Sequence, residues 1–152
     1  LRDARLPGRF QRIPAAQGFE WVLDVAHNPD SARVLAGNLA HFGVAGRTIA
    51  VCGMLADKDV ESVVEMLRNH VDAWIACGTR GPRALDDAAL TARAATRGIA
   101  MAPGGSVPQA LARAAAMAAS GDRVVVFGSF HTVGPALEYL CGAPGGGSVL
   151  CV

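Results

Sequence analysis

Three polar side chains follow an apolar segment near the start of the chain. In WVLDVAHNPDSARVL (21–35), Asp24, His27 and Asn28 lie between a strand-like run and an amphipathic run. One interpretation is a turn between a strand and a helix, in which Asn28 caps the helix, Pro29 begins it and Asp24 binds backbone amides. The other is a binding site. There the Asp24 carboxylate would accept hydrogen bonds from ribose hydroxyls, and the His27 imidazole would contact a phosphate or a base.

A second group of polar residues lies near the end of the chain, in FGSFHTVG (127–134). Gly128 permits close approach of the backbone, and Ser129, His131 and Thr132 open a helix whose free amides favour an anion. A carboxylate or a phosphate could bind there. The segment lacks the second glycine of a GxSxG nucleophile elbow, which argues against a serine hydrolase.

Two basic side chains also lie in loops. Arg9, in LPGRF, follows a Pro-Gly turn and is either a surface charge or a ligand for phosphate oxygens. Lys58, in GMLADKD (53–59), stands in what resembles a solvated turn, with Asp59 as the cap of the next helix. No GxxxxGK[ST] loop and no GxGxxG after a strand is present in the sequence, so this chain is not expected to cradle a triphosphate by itself.

Strand-like and helix-like segments alternate along the chain and would position these groups. Segments 10–13 and 20–25 predict a hairpin. Further strands are predicted at 48–54, 73–77, 99–102 and 122–129, and helices at 29–42, 60–70, 86–97, 106–120 and 131–140. Apolar strands alternating with helices indicate a parallel sheet covered on both faces. The predicted fold class is α/β, a Rossmann-like three-layer sandwich with a mostly parallel sheet of about six strands and one antiparallel edge strand.

In such a sheet, ligands bind at the carboxyl ends of the strands. The residues expected at that edge come from four loops. They are Asp24, His27 and Asn28; Asp57, Lys58 and Asp59; Thr79 and Arg80; and Ser129, His131 and Thr132.

Composition narrows the possible functions. A chain of 152 residues, of which 51% are hydrophobic, is the size of one domain with a real core. Its formal charge of +1 predicts neither a nucleic acid nor a membrane as partner. No apolar run reaches the roughly 18 to 20 residues of a membrane span, and no signal peptide is recognisable, so a cytoplasmic protein is predicted.

The cysteines and histidines show no metal-ligand spacing, so no metal site is predicted in this chain. Cys52, Cys77, Cys141 and Cys151 are predicted to be buried thiols rather than metal ligands or disulfides. Residues 1–140 are predicted to form the domain and 141–152 a flexible Gly-rich tail. The absence of an initiator Met suggests a segment of a longer protein.

The motifs LPGRFQ, DVAHNP, GMLADKD, GPR and GSFHTVG occur in this order over about residues 5–140. Together they resemble the carboxy-terminal domain of the folylpolyglutamate synthase family, within the Mur ligase superfamily. The similarity is greatest to the bacterial bifunctional dihydrofolate synthase/folylpolyglutamate synthases. DVAHNP and PGRFQ have looser counterparts across the superfamily, whereas GMLADKD with GSFHTV points to the folate branch.

The resemblance implies an ATP-dependent ligase that adds L-glutamate to dihydropteroate and to tetrahydrofolate through an acyl phosphate. ATP and Mg²⁺ would be needed, with the phosphate loop and the Mg²⁺ ligands in an amino-terminal ATPase domain that this chain lacks. The carboxy-terminal domain would close over the nucleotide, supply part of the glutamate site and be inactive alone. The whole protein is expected to be a monomer.

By their positions in the matching motifs, residues of this chain fall into two ligand-binding groups implied by the resemblance. The ATP-binding group is Arg9 near the phosphates, Asp24 at the ribose, His27 and Asn28. The glutamate-binding group is Ser129 and again His27, together with His131 and Lys58, which could also simply organise their loops. No residue is assigned as catalytic.

Two alternatives remain open from the sequence. One is the carboxy-terminal domain of another Mur-type ligase, which would act on a peptidoglycan precursor. The other is a non-catalytic, receiver-like binding module with Asp24 as the phosphoacceptor. A receiver needs a pair of acids on its first strand and a lysine after its fifth, and here Asp24 stands alone.

Overall fold

The structure, a computed structural model, describes residues 9–142 of the chain. Strands and helices alternate after an initial hairpin, as the sequence predicts. The strands are β1 (Gln11–Pro14), β2 (Glu20–Asp24), β3 (Thr48–Cys52), β4 (Ala73–Ala76), β5 (Ala102–Pro103) and β6 (Arg123–Phe127). The helices are α1 (Pro29–His41), α2 (Val60–Leu67), α3 (Asp87–Ala95), α4 (Val107–Met117) and α5 (Phe130–Gly142), and a 3-10 turn (Arg68–His70) continues α2.

Within the described residues the strands form a single sheet in the order β1-β2-β6-β3-β4-β5. Strand β1 pairs with β2 in antiparallel fashion, and the other neighbours are parallel. The register aligns Asp24 with Phe127, Phe127 with Cys52, and Cys52 with Ala76. Four loops therefore leave the sheet at one level, and the predicted α/β sandwich with one antiparallel edge strand is confirmed.

Alternate strand residues point to opposite faces of the sheet, as the pleat requires. Val22, Ala50 and Val125 pack in one buried cluster with side chains from α1, α2 and α3. Their neighbours along the strands, such as Leu23 and Val126, pack in a second cluster with α4 and α5. The two clusters make the sheet the middle of three layers, and burial on both faces explains why its strands are almost wholly apolar.

Helix starts follow the predicted chemistry. Asn28, Asp59, Asp86 and Ser106 each accept a hydrogen bond from a backbone N–H in the first turn of the helix that follows. These side chains satisfy amides that would otherwise lack a partner. The starts of α1 to α4 are therefore determined locally, which fixes where the loops at the sheet edge end.

The predicted strand at 99–102 is wrong in its extent. Pairing with β4 is limited to Ala102 and Pro103, opposite Ile75 and Ala76. Ile99 and Met101 are buried in the core. They are apolar because they pack there, and not because they belong to a hydrogen-bonded strand. Proline lacks an N–H donor, which limits how far an edge strand can continue.

Two cysteine predictions have different outcomes. Cys52 and Cys77 are buried free thiols, as expected. Cys141 is instead disulfide-bonded, and its partner lies outside the described residues. Helix α5 continues through Gly142, so the first two residues of the predicted tail are helical, and the rest of that tail also lies outside the described residues. Between residues 9 and 142, no helix combines the length and the apolar character needed to cross a membrane.

Candidate functional site

Asp24 is the last residue of β2, and its carboxylate is held by two backbone amides. It accepts hydrogen bonds from the N–H of Ala26 at 2.9 Å and from the N–H of Phe10 at 3.0 Å. Burial raises the pKa of this carboxyl above its ordinary value, while the two hydrogen bonds and the charge of Arg9 partly oppose the rise. The side chain is thus an oriented acceptor beside a cation.

His27 is oriented by its own turn. Its Nδ1 lies 2.8 Å from the carbonyl oxygen of Val25, and its backbone N–H donates to the hydroxyl of Ser31 at 3.1 Å. A carbonyl oxygen can only accept, so Nδ1 carries the proton in this contact. The half-exposed ring therefore keeps Nε2 available for a ligand.

Asn28 forms a capping box with Ser31 at the start of α1. The Asn28 carboxamide oxygen accepts the Ser31 N–H at 2.8 Å, and the Ser31 hydroxyl accepts the Asn28 N–H at 3.2 Å. The turn predicted at DVAHNP is confirmed. Because the cap uses the carboxamide oxygen, the amide NH₂ group of Asn28 is the part left to contact a ligand.

One cavity brings the four predicted ATP-binding residues together at the end of β2. It has a volume of about 340 Å³. Its lining consists of Arg9, Phe10, Asp24, Val25, Ala26, His27, Asn28, Ser31, Val34 and Asn38. A guanidinium, a carboxylate and an imidazole thus share one concave surface with apolar side chains, a combination suited to a phosphorylated sugar with an attached ring.

Ser129 is buried and serves as a local cap for α5. Its hydroxyl oxygen accepts the N–H of His131 at 3.1 Å, and its carbonyl oxygen accepts the N–H groups of Thr132 and Val133. The residue is 6% exposed. The Ser129 hydroxyl lies between the end of β6 and the start of α5.

The loop after β6 is locked against the loop after β3. Gly128 has φ +137°, and a Cβ built on it would lie 1.7 Å from the carbonyl oxygen of Gly53. The buried Thr132 hydroxyl donates to the same carbonyl at 2.8 Å. The close approach predicted for Gly128 is confirmed, and it fixes the two loops relative to each other.

His131 lies apart from Ser129, in a second cavity of about 650 Å³. The exposed His131 and Phe130 line it from α5, and Arg80 lines it from the loop after β4. Its remaining lining residues are Gly78, Thr79, Asp86, Asp87, Gly105, Ser106, Val107, Pro108, Pro135 and Glu138. Because basic and acidic side chains line the same cavity, it suits a ligand that carries both charges.

Lys58 lines neither of these cavities. The backbone of its loop is instead held from α3 by Arg93, which donates to the carbonyl oxygens of Ala56 and Lys58, both at 2.9 Å. Arg93 also forms a two-point ion pair with Glu61 at 2.8 and 2.9 Å. Sequence reasoning missed this clamp because its partners lie 32 to 37 positions away, beyond the reach of any local motif.

Other residues of the two cavities also escaped the sequence prediction. Arg80 was placed at the sheet edge without a role, and Val34 and Asn38 were read only as parts of α1. Phe130 was given no role, yet it is 69% exposed. An exposed aromatic ring beside a cavity can indicate a binding surface, but its exposure cannot be predicted from the spacing of residues in a motif.

Residues 9–142 hold no group of three or more His, Cys, Asp or Glu side chains placed to bind a metal ion. Three of the described carboxylates near the sheet edge are committed to other contacts. Asp59 and Asp86 cap helices, and Asp57 pairs with Arg83 at 2.8 Å. These residues do not fit a Mg²⁺ site.

Comparison with known proteins places this geometry in a family. The family model described as "Mur ligase, glutamate ligase domain" matches residues 8–130. The dihydrofolate synthase/folylpolyglutamate synthase of Escherichia coli K12 is 36% identical over 148 residues, which cover 97% of this chain and 33% of that protein. This chain therefore spans about a third of the length of that curated relative.

Two solved structures are similar over most of the chain. Escherichia coli FolC in complex with DHPP and ADP has a TM-score of 0.83 and 36% identity, covering 92% of this chain and 32% of that one. A bifunctional folylpolyglutamate synthase/dihydrofolate synthase with Mn, AMPPNP and L-glutamate bound has a TM-score of 0.81 and 37% identity, covering 91% and 32%. The chain therefore belongs to the family of Mur ligase glutamate ligase domains.

Proposed function

We propose that this domain is part of an ATP-dependent ligase that adds L-glutamate to dihydropteroate and to tetrahydrofolate. The names of the similar proteins support the folate substrates, since the relative from Escherichia coli is a dihydrofolate synthase/folylpolyglutamate synthase. Structures of such proteins contain ADP, or AMPPNP with Mn and L-glutamate. In the proposed reaction the substrate carboxylate takes the γ-phosphate of ATP, and the glutamate nitrogen then displaces phosphate to form the amide.

The cavity at the end of β2 carries this proposal. Asp24 offers carboxylate oxygens to the ribose hydroxyls, Arg9 neutralises phosphate charge, and His27 presents Nε2 toward the phosphates or the incoming amino acid. Asn28 adds its amide NH₂ group beside them. A hydrogen bond to a charged group contributes about 1.5–3 kcal/mol, so these residues position a nucleotide without holding it unaided.

Glutamate is proposed to bind between the ends of β6 and β4. Ser129 lies at the start of α5, and His131 and Arg80 line the neighbouring cavity, which also contains the Glu138 carboxylate. The carboxylates of glutamate could pair with the basic side chains of this cavity, and its ammonium group could pair with the Glu138 carboxylate. Lys58 belongs to this set only if its side chain reaches the site when the substrates bind, because it lines neither cavity.

The remaining parts of the reaction are assigned to the rest of the protein. The described residues do not fit Mg²⁺, so the ion and the phosphate loop would belong to an amino-terminal ATPase domain. When bound, Mg²⁺ would offset the charge of the triphosphate. Domain closure would bring Arg9, Asp24 and His27 onto the nucleotide, in a cytoplasmic enzyme that acts as a monomer.

The two alternatives left by the sequence are less well supported. A receiver domain has a parallel sheet in the order 2-1-3-4-5, whereas this sheet begins with an antiparallel β1 beside β2 and places β6 inside. A ligase for a peptidoglycan precursor would share the family, but the relative and the structures described above carry folate-ligase names.

The test uses the full-length protein with Asp24→Ala and His27→Ala. Each should reduce glutamate-dependent ADP release by orders of magnitude while the circular dichroism spectrum stays unchanged. Asp30→Ala and His70→Ala are matched controls, since these side chains line neither cavity. Near-normal turnover in both site variants would overturn the assignment of this cavity to the nucleotide.

A further inference from the structure

The residues that lead into β1 lie against the carboxyl end of α1. Phe42 is the cap residue that follows His41, the last residue of this helix. Its ring stacks on the ring of Phe10, with centroids 5.4 Å apart and an angle of 30° between the planes. The guanidinium carbon of Arg12 lies 5.0 Å from the centre of the same ring. One side chain at the end of α1 thus contacts two residues of the segment that carries Arg9.

The backbone of Phe42 is anchored to the sheet. Its N–H donates to the carbonyl oxygen of Asn38 at 2.9 Å, and its carbonyl oxygen accepts a hydrogen bond from the guanidinium of Arg123, on the inner strand β6. Arg123 is 4% exposed and also donates to the carbonyl oxygen of Leu39 at 3.2 Å. A cation at a helix carboxyl end is favourable, because the last carbonyl groups carry partial negative charge. The Phe42 ring therefore extends from a fixed backbone.

Phe10 has a backbone conformation that depends on outside contacts. Its φ is +44°, in the left-handed region that bulky side chains rarely adopt and that costs energy. Such a residue keeps its conformation only where its surroundings hold it there. The N–H of Phe10 donates to the Asp24 carboxylate at 3.0 Å, and its ring stacks on Phe42. The stack therefore helps to keep this φ.

The conformation of Phe10 determines where Arg9 lies. A change of φ at residue 10 rotates the preceding chain relative to the sheet, and Arg9 precedes it directly. Both residues line the cavity at the end of β2 together with Asp24. The same rotation would move the N–H of Phe10, which is one of the two amides that hold the Asp24 carboxylate. Phe42 lines neither of the two cavities, so its influence on these groups is indirect.

We propose that Phe42 is a positioning residue for the nucleotide site. By holding Phe10 in its left-handed conformation, it aims Arg9 at the phosphates and keeps Asp24 in place for the ribose. This inference rests on the proposed function, because it takes those two side chains as ligands of ATP. The effect is confined to the nucleotide, since the cavity proposed for glutamate contains no residue of the segment 9–12.

Phe42→Ala and Phe42→Tyr in the full-length protein test the inference. The alanine variant loses an aromatic stack, and KM for ATP should rise by about 2- to 12-fold as a result. KM for glutamate and kcat at saturating ATP should stay unchanged, because only the binding of the nucleotide is weakened. Tyrosine keeps an aromatic ring at this position, so Phe42→Tyr should have the KM of the wild type.

A double-mutant cycle shows whether Phe42 acts through Phe10. Glycine adopts a positive φ readily and has no ring, so Phe10→Gly removes both the strain and the stack. Phe42→Ala should therefore raise KM for ATP in the wild type but cause no further rise in Phe10→Gly. Met117→Ala is the matched control, since Met117 ends α4 on the other face of the sheet and is 36% exposed, against 37% for Phe42. It should leave KM for ATP unchanged.

An unchanged KM for ATP in Phe42→Ala would overturn the inference, and so would equal rises of KM for ATP and for glutamate. Additive effects of the two substitutions in the cycle would also overturn it. If Phe42→Ala did not fold, an unchanged KM for ATP in Phe10→Gly would have the same meaning. In each case, loss of turnover in Asp24→Ala would mean that only the positioning role is wrong, whereas full activity of Asp24→Ala would remove the proposed function itself.

Discussion

The carboxylate of Asp24 accepts the backbone N–H of Phe10 at 3.0 Å, across 14 positions of the chain. Strand β1 runs antiparallel to β2, with Gln11 opposite Leu23, so the residues just before β1 reach the carboxyl end of β2. The hydrogen bond fixes the backbone just before β1, and Arg9 therefore lies close enough for its charge to act on Asp24. A loop residue that precedes the sheet thus joins a site built at the ends of its strands.

Asp24→Asn should separate the functional role of this carboxylate from its effect on stability. Burial raises the folded-state pKa, so the carboxyl binds its proton more tightly in the folded protein than in the unfolded chain. The resulting stabilisation is present below the unfolded pKa of about 3.9 and is lost as the pH rises through the folded pKa. The stability of Asp24→Asn relative to the wild type should therefore increase from pH 4 to pH 7, while its KM for ATP rises.

Urea unfolding of the full-length protein at both pH values measures this difference. Asparagine has one acceptor oxygen, so the variant loses one of the two hydrogen bonds. This loss lowers the stability of the variant about equally at both pH values, so it cancels when the two stability differences are compared. A variant whose relative stability fell between pH 4 and pH 7 would show that the amide hydrogen bonds outweigh burial in setting this pKa.

Asn28 should have two separable roles. Asn28→Ala removes the capping box and should cost about 1 kcal/mol of stability. Asn28→Ser restores a capping oxygen but not the amide NH₂ group, so it should recover the melting temperature while KM for ATP stays raised. If Asn28→Ser also had a normal KM, the residue would act on the nucleotide only through the placement of α1.

The sequence predicted those parts of the molecule that depend on neighbours along the chain. The helix starts at Pro29 and Val60 follow from caps and turn residues next to them, and the alternation of apolar strands with helices predicted the sandwich. Asp24, His27 and Asn28 were predicted to lie at the carboxyl edge of the sheet, where ligands bind, whereas Arg9 was added to them only by the family resemblance; one cavity contains all four.

What the sequence could not predict depends on contacts between distant segments. Arg93 holds the loop of Lys58 from another helix, and Ser129 and His131 separate because one is buried as a cap while the other faces a cavity. Asn38 was one polar residue of an amphipathic helix until the structure placed the cavity beside it. Such assignments require the positions of side chains in three dimensions, which cannot be derived from hydrophobic periodicity.

Gly128→Ala should destabilise the protein strongly. A Cβ at this position would lie 1.7 Å from the Gly53 carbonyl oxygen, and φ +137° is unfavourable for any other residue. The ends of β3 and β6 would have to move apart, at a cost of at least about 2 kcal/mol. Gly37→Ala is the control, because nothing lies within 4 Å of its Cβ position and α1 should gain about 0.5–1 kcal/mol. Equal melting temperatures for the two variants would contradict the close approach at Gly128.

Glu61→Gln should weaken the clamp on the Lys58 loop in a pH-dependent way. The hydrogen bonds from Arg93 lower the pKa of Glu61 to about 2. A lowered folded-state pKa stabilises the protein above the unfolded value of about 4.3, and this stabilisation is lost as the pH falls toward 2. The variant should be less stable than the wild type by on the order of 1 kcal/mol at pH 7, since the pair is only partly shielded from water.

That deficit should shrink between about pH 4 and pH 2, as thermal unfolding of both proteins in parallel would record. Glu65→Gln is the matched control, because Glu65 pairs with Arg68 at 3.0 Å and with Arg97 at 3.9 Å, and not with Arg93, which holds the Lys58 loop. If Lys58 contributes to glutamate binding, Glu61→Gln should also raise KM for glutamate, whereas Glu65→Gln should not. A normal KM for glutamate in Glu61→Gln, with the stability deficit present, would mean that the clamp serves the fold alone and that Lys58 is not part of the site.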